Sequence, residues 1–259
     1  LNASDGSEEW TESLDGPVQA SPTVVGGTVY VASNDGTLYA LAADSGSETW
    51  TVPTGGSGGT LLAHSSPTVA GGTVYVGSID GTLYAVDAGS GTEQWSVDLV
   101  NFVNRSSPTV EDGTVYIGAT LASELVAVDT STESRTWTFD DPQGRVRSSP
   151  TVAGGTVYIG SNRNSNSGAL FAVNASDGTE RWNFTETENT VMQSSPTVAD
   201  GTVYIGSNSG TVYAVDAATG TEQWSVSTGG KVISSPTVAT DGDSTGSRVG
   251  QQTLGHHDG

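Results

Sequence analysis

Residues 194–226 read SSPTVADGTVYIGSNSGTVYAVDAATGTEQWSV, and three glycine-centred turns divide this stretch into four short segments, labelled A to D in chain order. Each segment has the length of a typical β-strand and is rich in residues that favour strands, such as Val, Tyr, Ile and Thr. Asp200-Gly201 separates A from B, residues 208–210 form a hairpin turn between B and C, and 217–220 separate C from D. The pattern predicts a four-stranded antiparallel sheet.

The same unit recurs along the whole chain. A tryptophan near the end of strand D returns every 40–45 residues, and a Ser-Pro-Thr triplet that opens strand A follows each tryptophan. A period of this size is typical of β-propeller repeats. The tryptophans are Trp10, Trp50, Trp95, Trp137, Trp182 and Trp224, and the triplet prolines are Pro22, Pro67, Pro108, Pro150, Pro196 and Pro236.

Strand segments such as Val-Tyr-Ile-Gly and Leu-Tyr-Ala-Val are apolar on both sides, so each sheet needs cover on both faces. Radial stacking of the sheets supplies that cover. We therefore expect an all-β protein, a β-propeller of four-stranded antiparallel blades in a single domain over residues 1–240. Five blades are complete, at about 17–53, 61–99, 103–139, 146–185 and 191–227.

The two chain ends predict a partial sixth blade. Residues 1–12 align with the end of strand C and with strand D of a repeat, and residues 231–240 contain a strand A. Strands B and C of that blade have no counterpart, which leaves open an imperfectly closed ring or a fragment of a longer propeller. Residues 241–259 are polar and glycine-rich, and we expect a flexible tail there.

Charge and composition restrict the classes of partner. The 259 residues contain 29 acidic and 8 basic side chains, a net charge of −21. Such a surface repels nucleic acid and anionic lipid, and no apolar run approaches the length of a membrane helix, so we expect neither nucleic-acid binding nor direct membrane insertion. A salt-adapted, halophilic surface explains the acidity; recognition of a cationic partner is the alternative. With no cysteine, disulfides and thiolate metal sites are excluded.

One further motif resembles a known family. Residues 85–95 read A-V-D-A-G-S-G-T-E-Q-W, a spacing similar to the tryptophan-docking motif of quinoprotein, or PQQ-like repeat, propellers. The resemblance covers nearly the whole chain, although Ala42 replaces the motif Asp in one copy and Glu133 replaces the Gly in another. It implies that the six tryptophans pack against neighbouring blades. We expect the motif Asp and Asn side chains to bond their own turns.

The resemblance also implies two classes of function. Quinoprotein dehydrogenases hold pyrroloquinoline quinone and calcium, with a vicinal disulfide that this cysteine-free chain cannot form. BamB-like and cell-surface members act without chemistry as scaffolds. We favour a non-enzymatic, extracytoplasmic or cell-surface scaffold with no cofactor and no metal, either alone or as part of a larger surface protein. A PQQ-dependent dehydrogenase, or a fragment of one, is the alternative.

The positions that vary indicate where a ligand would bind. In a propeller strand A lies innermost, so the residue three before each triplet proline would line the channel mouth. These residues are Gln19, His64, Arg105, Arg147, Gln193 and Ile233, with Lys231 close to the last. The basic residues Arg105, Arg145, Arg147, Arg163 and Lys231 are expected at the same face. We predict that the ring binds a protein partner or a small polar or anionic ligand, with Arg105 and Arg147 as forked donors; pairing with nearby Asp and Glu is the alternative.

Overall fold

The computed structural model describes residues 1–55, 65–99, 103, 105–120, 123–140, 144–164, 167–185, 192–239 and 248–250, with the backbone alone at 163–164, 167 and 248–250. Contacts divide the chain into two compact units, residues 1–147 and 148–259. Every regular element of the described part is a β-strand.

The first unit contains three four-stranded antiparallel sheets, which we call blades 1 to 3. Blade 1 consists of β1 (Thr23–Val25), β2 (Thr28–Ala32), β3 (Thr37–Ala42) and β4 (Glu48–Pro53). Blade 2 consists of β5 (Thr68–Ala70), β6 (Thr73–Gly77), β7 (Thr82–Asp87) and β8 (Glu93–Asp98). Blade 3 consists of β9 (Thr109–Glu111), β10 (Thr114–Ala119), β11 (Glu124–Asp129) and β12 (Ser134–Asp140), and the short β13 (Arg145–Val146) follows it.

The second unit contains blades 4 and 5. Blade 4 consists of β14 (Thr151–Ala153), β15 (Thr156–Asn164), β16 (Ser167–Asn174) and β17 (Glu180–Thr185). Blade 5 consists of β18 (Thr197–Ala199), β19 (Thr202–Gly206), β20 (Thr211–Asp216) and β21 (Glu222–Ser227). Two further strands, β22 (Thr237–Ala239) and β23 (Arg248–Gly250), pair antiparallel with each other.

Each blade repeats one register because its turns are alike. In blade 5 the Thr-Val-Ala of strand A faces the start of strand B, with Ala199 opposite Thr202, and the two residues between them form the turn. Ala214 in strand C lies opposite Trp224 in strand D, and a bulge follows immediately. The bulge recurs after Ala40, Ala85, Ala127 and Ala172.

The hydrophobic cores lie between sheets. This arrangement is expected because strands that are apolar on both sides need cover on both faces of their sheet. In the first unit Leu83, Val115 and Ile117, from blades 2 and 3, belong to one fully buried cluster. In the second unit Leu170, Val203 and Ile205, from blades 4 and 5, form another. The middle strands of these blades are therefore buried against the neighbouring blade of the same unit.

The all-β fold is confirmed: each of the five blades has four antiparallel strands, and the sheet of blade 4 has a fifth strand besides. The partial sixth blade stays a prediction: residues 1–12 contain a turn at 3–5 and no strand, and β22 pairs with β23. β23 lies inside the stretch 241–259, for which a flexible tail was expected, and the rest of that stretch lies outside the described residues.

Candidate functional site

Residues of the Ser-Pro-Thr triplets form hydrogen bonds between neighbouring blades. The threonine hydroxyl donates a hydrogen bond of 2.5–2.6 Å to the triplet proline carbonyl of the following blade or strand: Thr23 to Pro67, Thr68 to Pro108, Thr151 to Pro196 and Thr197 to Pro236. The serine before each proline accepts a backbone N–H from the preceding blade, as Ser66 does from Ser21. Each of these four contacts joins two inner strands of the same unit, which explains why the triplet is constant there.

The serine one position earlier fixes the entry to strand A. Its hydroxyl accepts the N–H of the last glycine of strand B at 2.8–3.2 Å, in the pairs Ser65–Gly77, Ser106–Gly118, Ser148–Gly160 and Ser194–Gly206. All four serines are fully buried. The side chains that precede them are thereby held in place at one end of each blade.

An apolar side chain from the next segment of chain covers each of these glycines. Val103 lies on Gly77, Val146 on Gly118 and Val232 on Gly206, so close that a Cβ on the glycine would clash. Met192 lies on Gly160, with its backbone oxygen 3.0 Å and its Cβ 3.3 Å from where a Cβ on that glycine would be. Val103, Val146 and Met192 are almost completely buried. We name this end of a blade, with its B–C hairpin and the entry to strand A, the B–C end.

The predicted ring residues differ in their surroundings. Within the described part Gln19, Arg105 and Lys231 are exposed, Arg147 and Gln193 are half-buried, and none of them has a hydrogen-bond partner; Ile233 is half-exposed. His64 lies outside the described residues. The structure brings Arg105 and Arg147 together in the first unit, whereas Gln193 and Lys231 belong to the second.

Arg147 is the most constrained of them. Its Nε is buried and has no hydrogen-bond partner among the described residues. Burial lowers the pKa of the Arg147 guanidinium, and the positive charges of Arg105 and Arg145 lower it further. Arg105 also has a left-handed backbone, with φ of 87°, a conformation that is unusual for a side chain of this size. Sequence reasoning placed Arg145 on this face but left it out of the ring.

Other polar groups without partners lie at the same end of their blades. Asn34 and Asn208 belong to B–C hairpins, Asn162 lies near the end of strand B, and Glu124 begins strand C. Each has a buried oxygen, and Asn34 also a buried nitrogen, with no partner among the described residues. Burial raises the pKa of Glu124, Asp140 opposite it raises it further, and Arg135 lowers it. Nothing in the repeat pattern distinguishes these positions, so the sequence did not indicate them.

The opposite end of each blade, with the A–B and C–D turns, is the C–D end. There the indole N–H of three of the repeated tryptophans donates to a backbone carbonyl of the next C–D turn at 2.9–3.1 Å: Trp10 to Ala43, Trp50 to Ala88 and Trp182 to Ala217. The indole faces a glycine of the same turn, namely Gly46, Gly91 or Gly220. These contacts agree with the packing role expected for the tryptophans.

The remaining tryptophans occupy the same register with different surroundings. Trp95 is 9% exposed, and Glu133, which replaces the turn glycine, keeps the left-handed backbone with φ of 54°. Trp137 lies 5.8 Å from Tyr116 between ring centroids. Trp224 is 40% exposed and contacts the ring of Tyr204.

The prediction that motif carboxylates bond their own turns is confirmed. Asp87 accepts hydrogen bonds from Ser90 and Gly89, Asp129 from Ser131 and Thr132, and Asp216 from Thr219 and Ala218. Asn174 accepts from Ser176 in the same way. The polar groups of the C–D end are thus largely satisfied within the fold.

The described residues also bear on two other kinds of site. No group of three or more His, Cys, Asp or Glu side chains in this part of the chain could hold a metal ion. No helix in the described part is long and apolar enough to cross a membrane.

The repeated sheets have counterparts in known proteins. A family model described as outer membrane protein assembly factor BamB matches residues 1–99, 53–193 and 186–243. The chain belongs to this family. Its members are PQQ-like repeat β-propellers, which confirms the expected architecture. No curated protein matches the chain in sequence.

Solved structures share the fold of this BamB-family chain. BamB from Moraxella catarrhalis matches with a TM-score of 0.73 and 22% identity over 89% of this chain and 67% of its own. The quinohemoprotein alcohol dehydrogenase ADHIIG from Pseudomonas putida HK5 matches with a TM-score of 0.67 and 22% identity over 83% of this chain and 42% of its own. The quinohemoprotein alcohol dehydrogenase from Comamonas testosteroni matches with a TM-score of 0.68 and 20% identity over 82% of this chain and 43% of its own. The chain thus spans less than half of each dehydrogenase, and identities this low show the fold alone.

Proposed function

We propose that this BamB-family chain is a non-enzymatic binding scaffold whose ligand surface is the B–C end of its blades. The observation that carries the proposal is the unequal use of the two ends. At the C–D end, the indoles, turn glycines and carboxylates take part in contacts within and between blades. The B–C end holds buried polar atoms without partners among the described residues, beside the residues that vary from repeat to repeat.

The partner is a protein or a small polar or anionic ligand. An unpaired buried polar group costs stability, so groups such as the Arg147 guanidinium and the Asn34 amide favour a ligand that offers complementary donors and acceptors. The net charge of −21 opposes nucleic acid and anionic membrane as partners. The acidic surface suits work at high ionic strength, and we assign the protein to a salt-adapted, halophilic setting.

The family supports a location outside the cytoplasm. The matching family model is named for an outer membrane protein assembly factor, and we place this chain outside the cytoplasm, at the cell surface or in a larger surface protein. A role as a scaffold for protein partners fits the same family. The tryptophan contacts serve this role by holding each blade to the next.

The test is a ligand screen by thermal shift at high salt, with paired variants. Arg105→Gln combined with Arg147→Gln alters the B–C end, and Arg181→Gln is the matched control because Arg181 bonds Thr156 and Gly155 at the C–D end. We expect hits that stabilise the wild type and the control but not the double variant. Hits that survive equally in all three proteins would show that the ligand surface lies elsewhere.

A PQQ-dependent dehydrogenase is the second candidate, and its support is the match to quinohemoprotein alcohol dehydrogenases. The quinone would supply the redox chemistry, and its calcium would require a set of oxygen ligands. The described residues do not fit that metal, because no cluster of three or more suitable side chains occurs among them. Stoichiometric calorimetric binding of quinone plus calcium, with dye-linked alcohol or sugar oxidation, would establish this function and refute the scaffold.

A further inference from the structure

We infer that Arg105, Arg145 and Arg147 together form a binding site for a small oxyanion carrying two or more negative charges, such as a polycarboxylate or a phosphate compound. The inference rests on the proposed function, since it assigns a ligand class to the B–C end. All three residues belong to the first of the two units.

The fold brings the three arginines together through one glycine. Gly118, in strand B of blade 3, is covered both by Val146 and by Ser106, whose Oγ would lie 3.0 Å from a Cβ at that position. The Gly118 N–H donates to this Oγ at 2.8 Å. Arg105 directly precedes Ser106, and Arg145 and Arg147 directly flank Val146. Any residue larger than glycine at 118 would push the two segments apart.

Strand geometry then sets the direction of two side chains. Successive side chains of an extended strand point to opposite sides, and residues two apart share a side. Val146 is 1% exposed and points down onto Gly118, so Arg145 and Arg147 both point away from it. Their exposure agrees, because Arg145 is exposed and Arg147 half-buried. Two guanidinium groups thus lie on one side of β13, with Arg105 near them.

Electrostatics make this grouping unfavourable unless an anion is present. The chain has only 8 basic residues against 29 acidic ones, yet three of the 8 meet here. No carboxylate in the described part pairs with any of the three, and Arg145 and Arg105 both act on Arg147 as like charges. Because the Nε of Arg147 is buried, water does not reach it as a hydrogen-bond partner. A charge that is desolvated and unpaired is costly, and a bound anion removes that cost.

The donors also determine the kind of anion. A guanidinium group presents its N–H groups as a planar fork that fits two oxygens of a carboxylate or phosphate. Three such forks exceed what a single monocarboxylate can accept, and they suit a ligand with several oxygens and at least two charges. The strongly negative surface repels anions at long range, and salt screens that repulsion.

Two readouts on the full chain at constant high ionic strength test the site. Calorimetry uses citrate and pyrophosphate as probes, with acetate as the monovalent control, and the unfolding temperature is recorded with and without each probe. We expect one molecule of citrate or pyrophosphate to bind per chain, at least roughly tenfold weaker binding in Arg147→Gln and in Arg105→Gln, and unchanged binding in Arg181→Gln. Preference for citrate or for pyrophosphate distinguishes the carboxylate from the phosphate source.

The unfolding temperature without any probe separates a ligand site from a structural ion pair. If the three charges repel each other, Arg147→Gln raises the unfolding temperature and abolishes the rise caused by the probe. If Arg147 is paired with a carboxylate of the chain, the same variant lowers it, and that result overturns the inference. The inference is also overturned if neither citrate nor pyrophosphate binds. A neutral ligand found in the screen would leave the scaffold function standing while this inference fails.

Discussion

At the residue scale, the turn glycines of the C–D end serve two physical needs that substitution can separate. Gly91 has φ of +70°, and a Cβ there would lie 2.7 Å from Trp50 Cδ2, whereas Gly71 has φ of +58° with nothing within 4 Å. We expect Gly71→Ala to cost about 1 kcal/mol, from left-handed strain alone. Gly91→Ala should cost clearly more, because the indole must also move. Urea unfolding at fixed salt measures both, and equal costs would contradict the packing role.

Glu133 shows that the two needs are distinct. It occupies the glycine position of its turn with φ of 54°, so the left-handed backbone is kept without glycine. Trp95 is nevertheless only 9% exposed, and it is more buried than the other five tryptophans. The motif therefore specifies a backbone conformation, and glycine is the residue that adopts it with least strain.

At the element scale, strand D ties one blade to the next through its tryptophan. Trp50 donates to the Ala88 carbonyl, which also accepts from Tyr30, while Trp224 occupies the same register in β21 and is 40% exposed. We expect Trp50→Ala to cost about 3–5 kcal/mol, since it removes packing and a hydrogen bond. Trp224→Ala should cost about 1 kcal/mol or less. Unfolding curves in urea provide the comparison, and similar losses would show that the contact between blades contributes little.

The C–D turn is a second element whose energetics respond to pH. The hydrogen bond from the Ser131 side chain has the largest effect on Asp129, and the backbone N–H groups of Thr132 and Ser131 come next. Together they lower the pKa of Asp129 to about 2. A lowered folded-state pKa means that the stabilisation is present above the ordinary value of 3.8 and is lost as the pH falls towards 2. We expect Asp129→Ala to be less stable than the wild type at pH 7, with the gap closing between about pH 4 and 2.

Asp44→Ala is the matched control for that titration. Asp44 is an exposed carboxylate in the C–D turn of blade 1 and has no hydrogen bond among the described residues. Its removal changes the net charge equally, so repulsion among carboxylates affects both variants alike. A gap that closes at low pH for Asp44→Ala as well would assign the effect to overall charge.

The strands were predictable from sequence and the contacts between blades only in part. Glycine turns and Val-Tyr-Ile segments specify four strands locally, because hairpin and strand preferences depend on neighbours along the chain. The covering of Gly118 by Val146 and of Gly160 by Met192 was missed, since a glycine ending a strand and a lone apolar residue in a connection have no common local pattern. For the same reason the sequence indicated Arg105 and Arg147 by their variability but not the role of Arg145.

At the scale of the whole molecule, the two ends of the blades have separate tasks. Constant residues occupy the contacts that hold blades together, from the Thr23–Pro67 hydrogen bond to the Trp182–Ala217 hydrogen bond. Variable residues lie at the end of the blades where buried polar groups have no partner among the described residues. A repeat protein can change its ligand at such positions without altering the interfaces between repeats, because stability is the sum of repeats and their nearest-neighbour contacts.

Net charge determines the response of the whole molecule to salt. With −21 on 259 residues, carboxylates repel over about 10 Å at 0.1 M salt and over only about 3 Å at 1 M. We expect the unfolding temperature to fall steeply as potassium chloride is removed, with most of the change below about 0.5 M, where screening still varies. Strengthened apolar burial would instead produce a rise that continues above 1 M and is larger in sulfate. Sucrose is the uncharged control, and an unfolding temperature independent of chloride would refute the salt-adapted surface.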